Sequence, residues 1–138
     1  MSGKAFLDTN IRLYFFDEHD TRKQEISRNL IGSLVKSKKG LISTQSLQEY
    51  FNVVTKKLKC NKADAQKDIE YYSTIFPVHT NTVKDVLEAI KIIIKTQFTI
   101  YDSLVLAAAK AEKCEIVYSE DLNDGQEVDG VKIVNPFK

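Results

Sequence analysis

The chain has few of the residues from which zinc, redox and covalent-catalysis sites are usually built. Its 138 residues include only two cysteines and two histidines. Cys60 and Cys114 lack a CxxC or a Cys/His partner at ligand spacing. The expectation is reduced thiols in a cytoplasmic protein, with neither a disulfide nor a zinc site. His19 and His79 are far apart, pair with no Cys, and are expected to be surface or loop residues. No Ser-His or Cys-His pair in a convincing context supports a covalent nucleophile. No apolar run approaches the ~18 residues of a membrane span, and Met1-Ser2-Gly3-Lys4 lacks the apolar stretch of a secretory signal. A strong charge bias is also missing: 20 Lys+Arg against 19 Asp+Glu give +1, which points to no partner.

What is present is ordinary for a folded domain. Hydrophobic residues make up 43% and charged residues 28%, which argues against disorder. The length predicts one domain over 1–138 with one core, burying roughly two thirds of the surface its unfolded chain exposes. Base is concentrated in Lys36-Ser37-Lys38-Lys39 and in Lys56-Lys57-Leu58-Lys59 with Lys62. Either cluster can close a helix against its dipole or touch phosphate.

Periodicity predicts a strand over 4–7, a short helix over 10–16, and a helix begun by a Thr21/Gln24 capping box. That helix carries Ile26, Leu30, Ile31, Leu34 and Val35, and Gly40 breaks it. A strand over 41–44 follows, then a helix with Leu47, Tyr50, Phe51 and Val54 on one face. Further helices are expected over 61–75, 83–94 and 99–112, the first closed by Pro77, with 76–79 an extended link. Strands over 115–118, expected to be central, and 131–134 complete the map. Crossovers of this length predict parallel pairing, hence an α/β domain with helices on both faces of a small, mostly parallel sheet. In such sheets ligands gather beyond the carboxyl ends of the strands.

Four acids fall at comparable places along that edge. Asp8 follows the first strand, Glu49 lies early in the helix after the second, Asp102 opens the alanine-rich helix, and Asp121 follows the strand over 115–118. Each has a local explanation. Asp8 and Ser119-Glu120-Asp121 suit turns, while Ser46-Leu47-Gln48-Glu49 and Thr99-Ile100-Tyr101-Asp102 fit capping boxes. Independent caps need not share one edge, and carboxylates crowded together repel unless a cation joins them. An all-oxygen set suits Mg²⁺ or Mn²⁺, which can activate water and clamp a phosphodiester.

The motifs Phe6-Leu7-Asp8-Thr9-Asn10, Ser46-Leu47-Gln48-Glu49-Tyr50, Tyr101-Asp102-Ser103-Leu104-Val105-Leu106-Ala107-Ala108-Ala109, Tyr118-Ser119-Glu120-Asp121-Leu122-Asn123-Asp124-Gly125 and Asn135-Pro136-Phe137 occur in that order. Together they resemble a PIN-domain ribonuclease, in particular the VapC-type toxin of toxin–antitoxin pairs, across nearly the whole chain. The resemblance implies that Asp8, Glu49, Asp102 and Asp121 bind Mg²⁺ or Mn²⁺ and hydrolyse RNA, whether tRNA, rRNA or mRNA, with Asn10 and Ser119 as polar supports. Asp124 is the alternative to Asp121 as the last acid; Asp121 fits the family's spacing better. A homodimer is also implied, as is a cognate antitoxin whose C-terminal segment lies across the active-site groove.

Other readings compete. A haloacid-dehalogenase-type phosphohydrolase also starts on a strand ending in Asp, but needs an acid where Asn10 stands. A receiver-type phosphoacceptor needs an early adjacent acid pair that is absent. A PIN-like module that binds RNA or protein without cutting differs by lacking metal-dependent cleavage. The aromatic residues Tyr14-Phe15-Phe16, Tyr50-Phe51 and Tyr71-Tyr72 fit a packed core or an apolar groove for a partner segment.

Overall fold

The computed structural model describes residues 3–138; the Met1-Ser2 part of the N-terminal reading lies outside the described residues. Six short strands form one sheet: β1 (Ala5–Leu7), β2 (Gly40–Ser43), β3 (Val78–His79), β4 (Ile116–Tyr118), β5 (Glu127–Val128) and β6 (Val131–Val134). Their order is β3-β2-β1-β4-β6-β5, with every neighbouring pair parallel except β5 and β6. The expected α/β class holds, and the strand over 115–118 is central beside β1.

Alternation along the strands assigns the helices to faces. Phe6, Val117 and Ile133 point into one apolar cluster with α5 (Val83–Thr96) and α6 (Ile100–Ala111). Ala5, Leu7 and Ile42 point into the other, covered by α1 (Thr9–Leu13), α2 (Thr21–Ser37), α3 (Thr44–Lys56) and α4 (Lys62–Ile75). Strands buried on both faces read as continuous apolar runs, as Ala5-Phe6-Leu7 does. The run Ala107-Ala108-Ala109 lets α6 sit close to the sheet, and all three residues are buried.

Local expectations shift in several places. The first helix begins at Thr9, and residues 14–16 form a 3-10 turn. Asp20, not Thr21, caps α2, accepting from Lys23 N at 3.0 Å, because a carboxylate outcompetes the neighbouring hydroxyl for that site. Lys38 ends α2 in a left-handed cap, and Gly40 instead opens β2. A Cβ on Gly40 would come within 2.9 Å of Leu34 and Phe76, so the strand needs glycine for close packing. The capping box of α3 is Ser43 with Ser46, three residues earlier than expected, which puts Glu49 in the second turn. The link over 76–79 contains the edge strand β3, and β5 was not foreseen; both pair over only two residues, too few for a periodic signal. His79 is not a simple surface residue. Its side chain is 11% exposed and bridges Asp85 at 2.8 Å and Glu112 at 2.6 Å. Among the described residues no single helix is long and apolar enough to cross a membrane.

Candidate active site

Four connections bring the acids together. Asp8 caps α1, its Oδ1 accepting from Thr9 N at 2.8 Å, directly after β1. Glu49 projects from α3. Asp102 enters from the first turn of α6, whose cap is Thr99: its Oγ1 accepts from Asp102 N at 3.1 Å. Asp121 follows β4, its N–H donating to Ser119 Oγ at 3.2 Å. All four side chains line one cavity of about 240 Å³, together with Asn10, Lys57 and Tyr101. For Asp8, Glu49 and Asp121 the parallel alignment of β1, β2 and β4 is the cause, because it places the chain after each strand at the same sheet edge, and the start of α6 adds Asp102.

Short polar contacts fix the acids. Ser119, buried, donates from Oγ to Asp8 Oδ2 at 2.8 Å. Asn10 Nδ2 donates to Asp121 Oδ2 at 3.0 Å and reaches Asp8 Oδ2 at 3.4 Å, while its Oδ1 accepts from Glu120 N at 3.2 Å. An amide is suited to this position because it donates to carboxylates and accepts from backbone at once. Gln45 Nε2 donates to Glu49 Oε1 at 2.6 Å and to the Tyr101 carbonyl at 3.2 Å, tying α3 to the start of α6.

The acids repel, and their ionisation records it. Burial pushes Asp8 up to about 6 against hydrogen bonds from Ser119 and Thr9, and the charges of Glu49 and Asp121 add to the rise. Burial raises Glu49 as well, Gln45 opposing it and Asp102 adding to it. Asp102 is raised by burial, eased by Thr99 and increased again by Asp121. Among the described residues no three His, Cys, Asp or Glu side chains form a group that could hold a metal ion. Mg²⁺ does not need one: it keeps several waters and takes one or two protein carboxylates. Asp8 is buried, Glu49 and Asp102 are half-buried and Asp121 is exposed; crowded carboxylate oxygens of this kind are donors whose mutual repulsion a hard divalent ion offsets, so the residue types fit such an ion.

Not every expected residue belongs here. Asp124 Oδ1 accepts from Asn135 N at 2.8 Å and does not line the cavity; it holds the chain after β6. Glu120 is engaged by Tyr14 Oη at 2.7 Å and by Lys23 Nζ. Lys36-Ser37-Lys38-Lys39 and Lys56-Lys57-Leu58-Lys59 lie at helix C-termini, as the dipole reading expects, whereas Lys62 opens α4, and Lys57 also lines the acid cavity. The sequence reading missed Gln45, Tyr101 and Arg12. For Gln45 the signal was its four-residue spacing from Glu49, which places the two on one helix face. For Arg12 it was a lone charge in an otherwise uncharged helix. Beside the acid cavity, and sharing Asn10, Leu13, Val53 and Asp121 with it, a larger groove of about 590 Å³ is lined by Tyr14, Phe16 and Leu58.

Comparison with known proteins agrees with this architecture. The PIN domain family matches residues 5–129. Among solved structures, VapBC2 from Rickettsia felis, bound to a DNA fragment from its promoter, superimposes with a TM-score of 0.70 at 17% identity, covering 94% of this chain and 96% of that one. A toxin–antitoxin complex from Klebsiella pneumoniae gives 0.68 at 15% identity, covering 96% and 98%. VapC20 from Mycobacterium tuberculosis, a toxin that cleaves the sarcin–ricin loop, gives 0.67 at 19% identity, covering 86% and 90%. No curated protein matches by sequence. With the family matched over most of its length, and with the fold of VapC toxins, this chain belongs to the PIN-domain family.

Proposed function

We propose that the protein is a Mg²⁺- or Mn²⁺-dependent endoribonuclease and the toxin of a toxin–antitoxin pair. The observation that carries this reading is the gathering of Asp8, Glu49, Asp102 and Asp121 around one cavity in a PIN fold, braced by Asn10 and Ser119. Asp8, Glu49, Asp102 and Asp121 would hold the ion, which when bound supplies an activated water and charge stabilisation at phosphorus. The chain's own residues do the rest. Ser119 and Asn10 orient Asp8 and Asp121, Gln45 orients Glu49, and Lys57 supplies a cation for a phosphate at the rim. Asn10 is an amide donating to two carboxylates, so it cannot serve as the acid that a phosphoaspartate mechanism requires.

The apolar groove beside the acids, with Leu13, Phe16, Val53 and Leu58, supports an antitoxin segment lying across the site. A homodimer is supported by α5, whose Val83, Leu87, Ile90 and Ile94 form an exposed stripe at helical spacing. The test is cleavage of a panel of tRNA, rRNA and mRNA substrates by protein stripped of metal. Cleavage should appear with Mg²⁺ or Mn²⁺, disappear with EDTA and be lost in Asp8→Asn. Expression alone should arrest growth of the host, and the product of the neighbouring gene should relieve the arrest. RNA binding without cleavage under any divalent ion would turn the reading to a non-catalytic module.

A further inference from the structure

Arg12 is the largest side chain buried without solvent contact, at 0% exposure. It is the single charged residue of α1, between Ile11 and Leu13. Its guanidinium lies 5.1 Å from the centre of the Tyr50 ring and 5.0 Å from that of Tyr72. Nη2 donates to the Ser46 carbonyl at 2.8 Å, the same oxygen that accepts from Thr9 Oγ1 at 3.3 Å. Nε and Nη1 find no hydrogen-bond partner among the described residues. Burial lowers the pKa of Arg12, yet a guanidinium is basic enough to keep its charge in a protein interior. Two aromatic faces and one carbonyl are a thin replacement for its hydration, so a compensating anion is required.

The acids supply it. Arg12 stands four residues after Asp8, the residue that caps α1. Ser46, which it holds, stands three residues before Glu49 on α3, and Tyr50 follows Glu49 directly. Burial works against the charge of Arg12; Tyr72, Tyr50, Asp8 and Glu49 work for it. The charge of Arg12 in turn favours ionised Glu49. No bond joins Arg12 to either carboxylate, so the interaction acts through a low-dielectric interior and not through a contact.

We propose that Arg12 is a positioning residue of the acid site, a resident cation held against the rings of Tyr50 and Tyr72 that offsets the charge of Asp8 and Glu49 and so limits how tightly the cavity holds a divalent ion. The inference rests on the metal-site reading above. A purely structural arginine would matter for packing but would be indifferent to the charge of Glu49. Arg12 is not indifferent. Without it the metal-free acids repel more strongly, and the bound ion is attracted more strongly.

The experiment is a double-mutant cycle in metal-free protein, with Mg²⁺ titrations by calorimetry at low ionic strength. Arg12→Met removes the charge while keeping an unbranched apolar stem. Arg12→Lys keeps the charge. In EDTA, the fall in Tm caused by Arg12→Met should be smaller in a Glu49→Gln background than in wild type, and Arg12→Lys should recover part of it. Arg12→Met should bind Mg²⁺ several-fold more tightly than wild type. Additive losses in the cycle, or Mg²⁺ affinity unchanged or weakened in folded Arg12→Met, overturn the proposal. So does a pair in which Arg12→Met and Arg12→Lys are equally unfolded with and without Mg²⁺. A wild-type protein that binds no divalent ion would instead sink the metal-site reading, while the EDTA cycle would still report on Arg12.

Discussion

Asp102 separates a cap from a ligand at the scale of one residue. Its position in the first turn of α6 looks like capping, but the cap is Thr99, which accepts from the Asp102 N–H. Thr99→Ala should therefore cost roughly 1 kcal/mol of stability in a urea melt. Asp102→Asn in EDTA should be as stable as wild type or more so, since it removes one charge from a repelling group. Its cleavage rate with saturating Mg²⁺ should fall by orders of magnitude. Asp8 gives a second signature. Its pKa is raised from 3.8 to about 6, so the native state binds the proton more tightly than the unfolded chain does. The associated stability is present below pH ~4 and is lost as pH rises through about 6, roughly 3 kcal/mol for a shift of this size. Metal-free wild type should lose stability across that window in urea melts at stepped pH, whereas Asp8→Asn should show a flatter profile. Asp8, Asn10, Glu49, Asp102 and Asp121 were legible because each stands just past a strand or near a helix start. Arg12 and Gln45 were not, because their roles come from the tertiary neighbours Ser46, Tyr50, Tyr72 and Tyr101.

At the scale of elements, the edge strand β3 is held by one imidazole. His79 joins β3 to Asp85 in the first turn of α5 and to Glu112 at the end of α6. Burial alone would lower its pKa, but its hydrogen bonds to Glu112 and Asp85 outweigh it and raise the value. The sign is that of a base gaining partners. Its stability is complete below the unfolded value of ~6.5 and is lost as pH rises through the higher folded value. His79→Ala should thus cost more stability at pH 6 than at alkaline pH, as the imidazole of the native protein loses its charge. Equal losses at both pH values would mean that the contact is packing and not an ion pair. The strand was read only as an extended link, since two residues carry too little alternation to define a face. The longer helices were clear because apolar spacing over three or more turns is a strong signal.

At the scale of the whole molecule, α5 carries an apolar stripe that the fold of the described residues leaves uncovered. On α5, Asp85, Ala89 and Ile92 face the core, while Val83, Leu87, Ile90 and Ile94 face outward. Exposed apolar stripes of this kind mark association surfaces. Leu87→Glu with Ile94→Glu should convert a dimer to a monomer in multi-angle light scattering without lowering Tm beyond the loss of the dimer. A monomeric wild type would remove the case for this surface.

The sequence by itself determined the α/β class, the order of the main strands and helices, and the placement of the four acids just past a strand or near a helix start. It could do so because apolar period and turn chemistry are local. Only the tertiary structure decided that the four acids line a common cavity, that Asp124 is turned away to hold Asn135, and that a buried arginine sits behind the acids. Those outcomes depend on strand order, register and helix packing, which bring together residues as far apart as Asp8 and Ser119. No local pattern in the chain encodes such a distance.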